Sequence, residues 1–207
     1  EAIVAYLFYG VKVGKKPGVY ETWQSCKENV LGFPFAEFKG FNNQVAAHEY
    51  VNKSKQIKNN FLNKTIKRNE AIAFVDGSYS PHSGKITYGI VFLRKGMEEN
   101  HFSGTVENKA MRQLKSVAGE LGSALRAMKI ADALGMKQLT IYHDFIGISN
   151  CIQNRETYCK PGFQVYLDVY DDVSTRVNVD FVHIKGHSDN YFHNVADSLA
   201  KAAHQIA

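Results

Sequence analysis

The sequence predicts an α/β protein: a mixed five-stranded sheet flanked by helices over residues 70–207, preceded by a small ββαβα module over 3–51. Three observations carry this expectation. AIAFVDGSY is a continuous apolar run ending in a turn, the pattern of a strand buried on both faces. Leu114, Val117, Leu121, Leu125 and Met128 recur every three or four residues and lay one apolar stripe along a long helix. The element order βββαβαβα closes with strand–helix–strand units, whose crossovers make part of the sheet parallel.

The front module opens with AIVAYLFYGVKVG, rich in aromatic and β-branched residues and therefore strand-like. Pro17-Gly18 marks a turn, and VYETW follows as a second strand. Thr22 or Ser25 can cap a short helix running to about Val30, which Gly32, Phe33 and Pro34 break. FAEFKGF reads as a third strand and NQVAAHEYV as a closing helix. Some fifty residues is close to the lower limit for a unit that folds alone. Residues 52–69 are polar, basic and weakly periodic, which reads as a flexible linker.

In the second segment AIAFVDGSY is the first strand. ITYGIVFL (86–93) and HFSGTV (101–106) continue a meander. A long helix spans about 110–134, and LTIYHD (139–144) is the next strand. A short helix from about Ile146 to Ile152, a polar crossover with a proline, and a helix around 163–174 follow. NVDFVHIKG (178–186) is the last strand and NVADSLAKAAHQI the last helix.

Composition narrows the function classes. With 44% hydrophobic and 22% charged residues in 207, the chain is neither collagen-like nor wholly disordered. No apolar run approaches the roughly 18 residues of a membrane helix, so no membrane partner is expected. No secretory signal pattern opens the chain, and Cys26, Cys151 and Cys159 are odd in number and widely spaced. A reducing, cytoplasmic location is the expectation. The net charge of +5 is concentrated: residues 1–51 and 71–207 each balance to zero. Between them, Lys53, Lys55, Lys58, Lys64, Lys67 and Arg68 face only Glu70. Such a stretch suits a polyanion, or simply a linker kept soluble by lysines.

Three acidic residues sit where an α/β protein places chemistry. Asp76 ends the first strand of its segment, Asp144 ends a later strand, and Glu120 lies at the edge of the helical stripe, about 60° from Val117. A fourth, Asp197, comes early in the last helix. Each has a plain alternative as a turn residue, a solvated helix residue or a dipole partner. Carboxylates converging from these elements would raise one another's pKa unless cations neutralised them. Oxygen-only ligation suits Mg²⁺ or Mn²⁺, and two such ions could flank a phosphodiester undergoing attack by water. His187, in a polar loop ten residues before Asp197, adds a candidate acid–base group. A zinc site from His183, His187 and His193 is a weaker alternative, with no cysteine pair nearby and no usual structural spacing.

FVDGSY, VAGELGSALRAM, TIYHDF and HIKGHS…VADSLAKAA make residues 70–207 resemble the type 1 ribonucleases H. That resemblance implies the ribonuclease H-like fold. It implies Asp76, Glu120, Asp144 and Asp197 as the catalytic, metal-binding carboxylates of two Mg²⁺ ions, with Mn²⁺ as a substitute, and His187 as the mobile loop histidine. The implied reaction is hydrolysis of the RNA strand of an RNA–DNA hybrid, leaving 3′-hydroxyl and 5′-phosphate ends. FYGVKVGKKPGVYETWQSCKENVLGFPFAEFKGF is similar to the hybrid-binding domain that precedes many such enzymes, with a related module in the caulimovirus inclusion-body protein. It implies nucleic-acid contacts through Tyr9, Lys15, Lys16, Trp23, Phe38 and Lys39, and a second role in binding double-stranded RNA. Aromatic faces stack on bases and lysines neutralise phosphates. The alternative for Trp23, and less so for Phe38 between the polar Glu37 and Lys39, is a core residue of a tiny domain. The expected organisation is a hybrid-binding domain (3–51), a basic linker (52–69) and a catalytic domain (70–207), acting as a monomer.

The chain departs from the family pattern at three places. Ser116 stands where the family often has a hybrid-gripping Asn, His193 where it often has Asn, and Gly40 where many binding domains carry a second Lys. The rival reading is a non-catalytic binder of hybrid or double-stranded RNA, whose mark would be a missing carboxylate.

Overall fold

The computed structural model describes residues 6–33, 36–52, 66–96, 99–186 and 190–205. The chain divides into two compact units, Glu1–Phe61 and Leu62–Ala207. Most of the expected linker, 53–65, lies outside the described residues.

The first unit runs β1 (Phe8–Val13), β2 (Gly18–Tyr20), α1 (Trp23–Val30), β3 (Glu37–Phe41) and α2 (44–52). Its antiparallel sheet has the order β2-β1-β3. Thr22 caps α1, its side chain accepting from the Ser25 amide at 3.2 Å. Register pairs Tyr9 with Gly40 and Val11 with Phe38, so these four share one face of the sheet. On that face Val11 packs with Cys26 and Val30 of α1. On the other face the Lys12 ammonium lies 4.4 Å above the Tyr50 ring and pairs with Glu37 at 2.8 Å.

The second unit runs β4 (Glu70–Tyr79), β5 (Ile86–Arg94), β6 (Asn100–Thr105), α3 (Lys109–Arg112) and α4 (Ser116–Ala133). It continues with β7 (Gln138–His143), α5 (Gly147–Gln153), α6 (Pro161–Ser174), β8 (Asn178–His183) and α7 (Tyr191–Ala202). The sheet order is β6-β5-β4-β7-β8. β4, β7 and β8 are parallel, whereas β5 and β6 are antiparallel to their neighbours. Alternation along β4 sends Ala71, Ala73 and Val75 into the core shared with Leu121, Ala124, Met128 and Tyr166 of α4 and α6. Phe74 points the other way, stacking on Phe192 of α7 at 5.1 Å and on Tyr142 at 4.7 Å.

Three boundaries differ from the sequence expectation. The helix expected over 110–134 is two helices, broken at Gln113–Lys115, and Lys115 has a left-handed φ of 53°. Asn108 caps the first piece, accepting from the Ala110 and Met111 amides. Leu114 still packs on the core, so the apolar spacing runs unbroken across the break. β4 continues past Asp76 to Tyr79, because pairing with β5 persists through Tyr79 and Ile86. The last helix begins at Tyr191, three residues before Asn194, with the Asn190 side chain accepting from the His193 amide at 3.3 Å. No helix among the described residues is long and apolar enough to cross a membrane.

Candidate active site

Asp76 lies inside β4, and Asp144 immediately follows β7, the neighbouring parallel strand. Glu120 comes from the second turn of α4, which packs on β4. The approach of helix to strand is set by two glycines. A β-carbon on Gly77 would lie 2.3 Å from the Glu120 amide nitrogen. One on Gly119 would lie 2.9 Å from the Gly77 α-carbon. Only a pair of residues without side chains lets the two backbones meet so closely. The carboxylates next to them in sequence, Asp76 and Glu120, therefore converge. Each of Asp76, Glu120 and Asp144 offers one oxygen, and the three lie within 4.8 Å of one another.

The electrostatics of this group are unfavourable without a cation. Burial is the largest cause pushing Asp76 up to about 6, with the charges of Asp197 and Asp144 adding to it. His193 opposes that rise, and the Gly77 amide donates to Asp76 Oδ1 at 2.7 Å. Glu120 is pushed well above the usual carboxylate range, first by burial and then by Asp76 and Asp144. Its Oε2 is buried with no hydrogen-bond partner among the described residues. Three crowded carboxylates, one with an orphaned buried oxygen, are a donor set that fits a divalent cation such as Mg²⁺ or Mn²⁺.

Asp197 stands apart from these three. It lies in the middle of α7 and not early in it, and its Oδ2 accepts from Lys201 Nζ at 2.6 Å. Its charge still reaches Asp76. His193, one helical turn before Asp197, is 2% exposed. Its Nε2 lies 3.3 Å from Asp144 Oδ2 and 4.0 Å from Asp76 Oδ2. Burial works against charging this imidazole, but Asp144, Asp76 and Asp197 outweigh it and raise its pKa. His187 lies outside the described residues. His183 sends its Nε2 to the backbone carbonyl of Asp144 at 3.0 Å. Of the three histidines in the weaker zinc alternative, His183 and His193 are described and His187 is not. Ser116 is exposed at the first turn of α4, one turn before Glu120.

In the first unit Trp23 is 45% and Phe38 41% exposed, so neither is a core residue. Tyr9, Trp23 and Phe38 form a continuous row, with ring centroids 5.5 and 5.6 Å apart. Lys15 and Lys16 are exposed in the turn between β1 and β2. Lys39 alternates to the opposite face of β3 from Phe38, its ammonium 5.7 Å from the Phe41 ring. Tyr6 escaped the sequence reading. Its exposed ring meets Tyr9 edge-on at 6.4 Å and covers Gly40. A lone glycine within a strand, a mark of close approach, was the available signal.

The mixed sheet, its flanking helices and the carboxylate group at the β4–β7 end define a ribonuclease H-like fold with an acidic centre. The RNase H model matches residues 68–205, and a model described as the ribonuclease H1 N-terminal domain matches residues 7–51. The chain belongs to the RNase H family. Among curated relatives, ribonuclease H1 of Homo sapiens is 44% identical over 48 residues, 23% of this chain and 17% of that protein. Ribonuclease H of Saccharomyces cerevisiae is 39% identical over 44 residues, 21% of this chain and 13% of that protein. The matched stretches thus span under a fifth of those relatives' lengths. Among solved structures, RNase H1 of Halobacterium salinarum superposes with a TM-score of 0.55 at 16% identity, covering 67% of this chain and 99% of that one. LC11-RNase H1 in complex with an RNA/DNA hybrid gives 0.51 at 16% identity, covering 65% and 99%. At that identity these two likenesses speak for the fold alone.

Proposed function

We propose that this protein hydrolyses the RNA strand of RNA–DNA hybrids, leaving 3′-hydroxyl and 5′-phosphate ends. The observation that carries this reading is the convergence of Asp76, Glu120 and Asp144 within 4.8 Å at one end of the sheet. Membership in the RNase H family supports the choice of substrate.

Asp76, Glu120 and Asp144 would hold the divalent cations, with Asp197 completing the set from α7. When bound, a pair of such ions supplies charge neutralisation at the scissile phosphate and activation of the attacking water. The protein supplies the rest. Burial of Asp76 and Glu120 keeps bulk water from competing for their oxygens. The amide of Gly77 fixes one oxygen of Asp76. The His183 ring, held on the Asp144 carbonyl, ties the end of β8 to the end of β7. His187 enters as a proton-transfer group on its position in the sequence alone. Ser116, exposed one turn from Glu120, meets the backbone of the hybrid on this reading.

The first unit binds the hybrid through the exposed row of Tyr9, Trp23 and Phe38, extended by Tyr6, with Lys15 and Lys16 neutralising phosphates. RNA is told from DNA by contacts to 2′-hydroxyls.

The test is cleavage of an end-labelled hybrid with Mg²⁺, beside duplex DNA, duplex RNA and single-stranded RNA. RNA-strand cutting of the hybrid alone, lost with chelator and in Asp144→Asn, is expected. Hybrid binding without cleavage in both Mg²⁺ and Mn²⁺ would make this a binding protein instead.

A further inference from the structure

We propose that His193 is a nitrogen ligand of the cation site, so that the site selects a first-row transition ion such as Mn²⁺ over Mg²⁺. The proposal rests on the reading of Asp76, Glu120 and Asp144 as a cation site.

The placement of the ring is determined by its surroundings. His193 is the third residue of α7, whose start is held by the Asn190 cap and by Phe192, fully buried and stacked on Phe74. At 2% exposure the imidazole is buried in that helix end. Its Nε2 is aimed at carboxylate oxygens, 3.3 Å from Asp144 Oδ2 and 4.0 Å from Asp76 Oδ2. The neighbouring imidazoles are engaged differently. His143 Nδ1 meets the Phe145 carbonyl at 3.1 Å, and His183 Nε2 meets the Asp144 carbonyl at 3.0 Å.

The two spans from Nε2 suit donors that share one ion. With metal–donor distances of about 2.0–2.2 Å, neighbouring ligands of an octahedron sit about 3 Å apart and opposite ligands about 4 Å apart. The two oxygens that Nε2 faces belong to Asp144 and Asp76, two of the three carboxylates that gather within 4.8 Å of one another, and the imidazole stands at the edge of that group. An ion bound to Nε2 as well has a donor set of three carboxylates and one imidazole.

Ion choice follows from the chemistry of those donors. Mg²⁺ is hard, favours oxygen and gives up its water reluctantly. Imidazole suits first-row transition ions, and affinity among them rises from Mn²⁺ onward. A nitrogen fixed in this position favours Mn²⁺ over Mg²⁺, where an amide side chain would not. The competing role is purely positional: His193 holds Asp144 by a hydrogen bond and touches no ion.

Electron paramagnetic resonance of the full chain titrated with Mn²⁺ separates the two. Binding is read from loss of the six-line signal of the free ion, and Mg²⁺ affinity from competition. Nitrogen ligation is read from ¹⁴N modulation in pulsed spectra. The expected result is a ¹⁴N coupling that disappears in His193→Asn and His193→Gln. Mn²⁺ should bind at least about tenfold more tightly than Mg²⁺, with that preference reduced about tenfold in the variants. Mn²⁺ bound in an Asp144-dependent way without ¹⁴N coupling, or with coupling retained in both variants, overturns the ligand assignment and leaves the nuclease reading standing. Absence of ion binding together with absence of hybrid cleavage overturns both. If the variants fail to fold, lack of ¹⁴N coupling in the unaltered protein still overturns the proposal.

Discussion

A β-carbon at Gly77 would stand 2.3 Å from the amide nitrogen of Glu120, so β4 and α4 touch backbone to backbone where their carboxylates meet. Gly77→Ala must therefore push strand and helix apart. We expect a loss of about 2–3 kcal/mol in urea unfolding and a matching collapse of hybrid cleavage, because Glu120 moves away from Asp76. Wild-type stability with full cleavage would show that the contact is not needed.

The same crowding opposes folding when no cation is present. Asp76→Asn removes a buried charge whose pKa is pushed up to about 6. It should abolish cleavage yet stabilise the metal-free protein at pH 7 by on the order of 2 kcal/mol. Thermal unfolding in chelator reads the second effect. A destabilised variant would mean that the Gly77 hydrogen bond outweighs the repulsion.

In chelator, stability should fall as pH rises from about 4 to 8. Below its unfolded value of 3.8 Asp76 is protonated in both states; between 3.8 and about 6 the unfolded chain ionises while the folded one keeps its proton, so stability falls across that span. Glu120, also raised, acts in the same direction. His193 has a raised pKa, so its stabilisation is complete below 6.5 and disappears as pH climbs through its folded value. Melting curves at pH 5, 6.5 and 8 check this. A saturating divalent cation should flatten the trend, and a melting temperature that climbs from pH 5 to 8 in chelator would contradict it.

Trp23→Ala and Phe38→Ala should each weaken hybrid binding about 5- to 100-fold while leaving the melting temperature nearly unchanged. Both rings are more than 40% exposed, so little packing is lost. Fluorescence anisotropy with a labelled hybrid, in an Asp144→Asn background that binds without cutting, gives the affinities. Unchanged affinity in both variants would remove the aromatic row from the interface.

Much of the fold was legible. The succession of strands along the chain followed from apolar runs and turn residues, because a buried strand needs a run of side chains suited to both faces. The break at Lys115 was not legible, since Leu114 and Val117 keep their spacing and both still reach the core. The start of α7 was missed for a related reason. Tyr191 and Phe192 read as loop residues, although Asn190 ahead of them is a good cap.

That last boundary decides what His193 does. In a loop it would be one more polar side chain; on the first turn of α7 it shares a face with Asp197 and enters the carboxylate group. The kinds of residues, their order along the chain and the elements that carry them are local properties, and the sequence by itself determined them. Which oxygens meet, which imidazole faces them and which rings stay exposed depend on how closely strand and helix approach. That distance is decided by contacts such as Gly77 against Gly119, between residues far apart in the chain. No local pattern records such a contact, so only the tertiary structure could decide it.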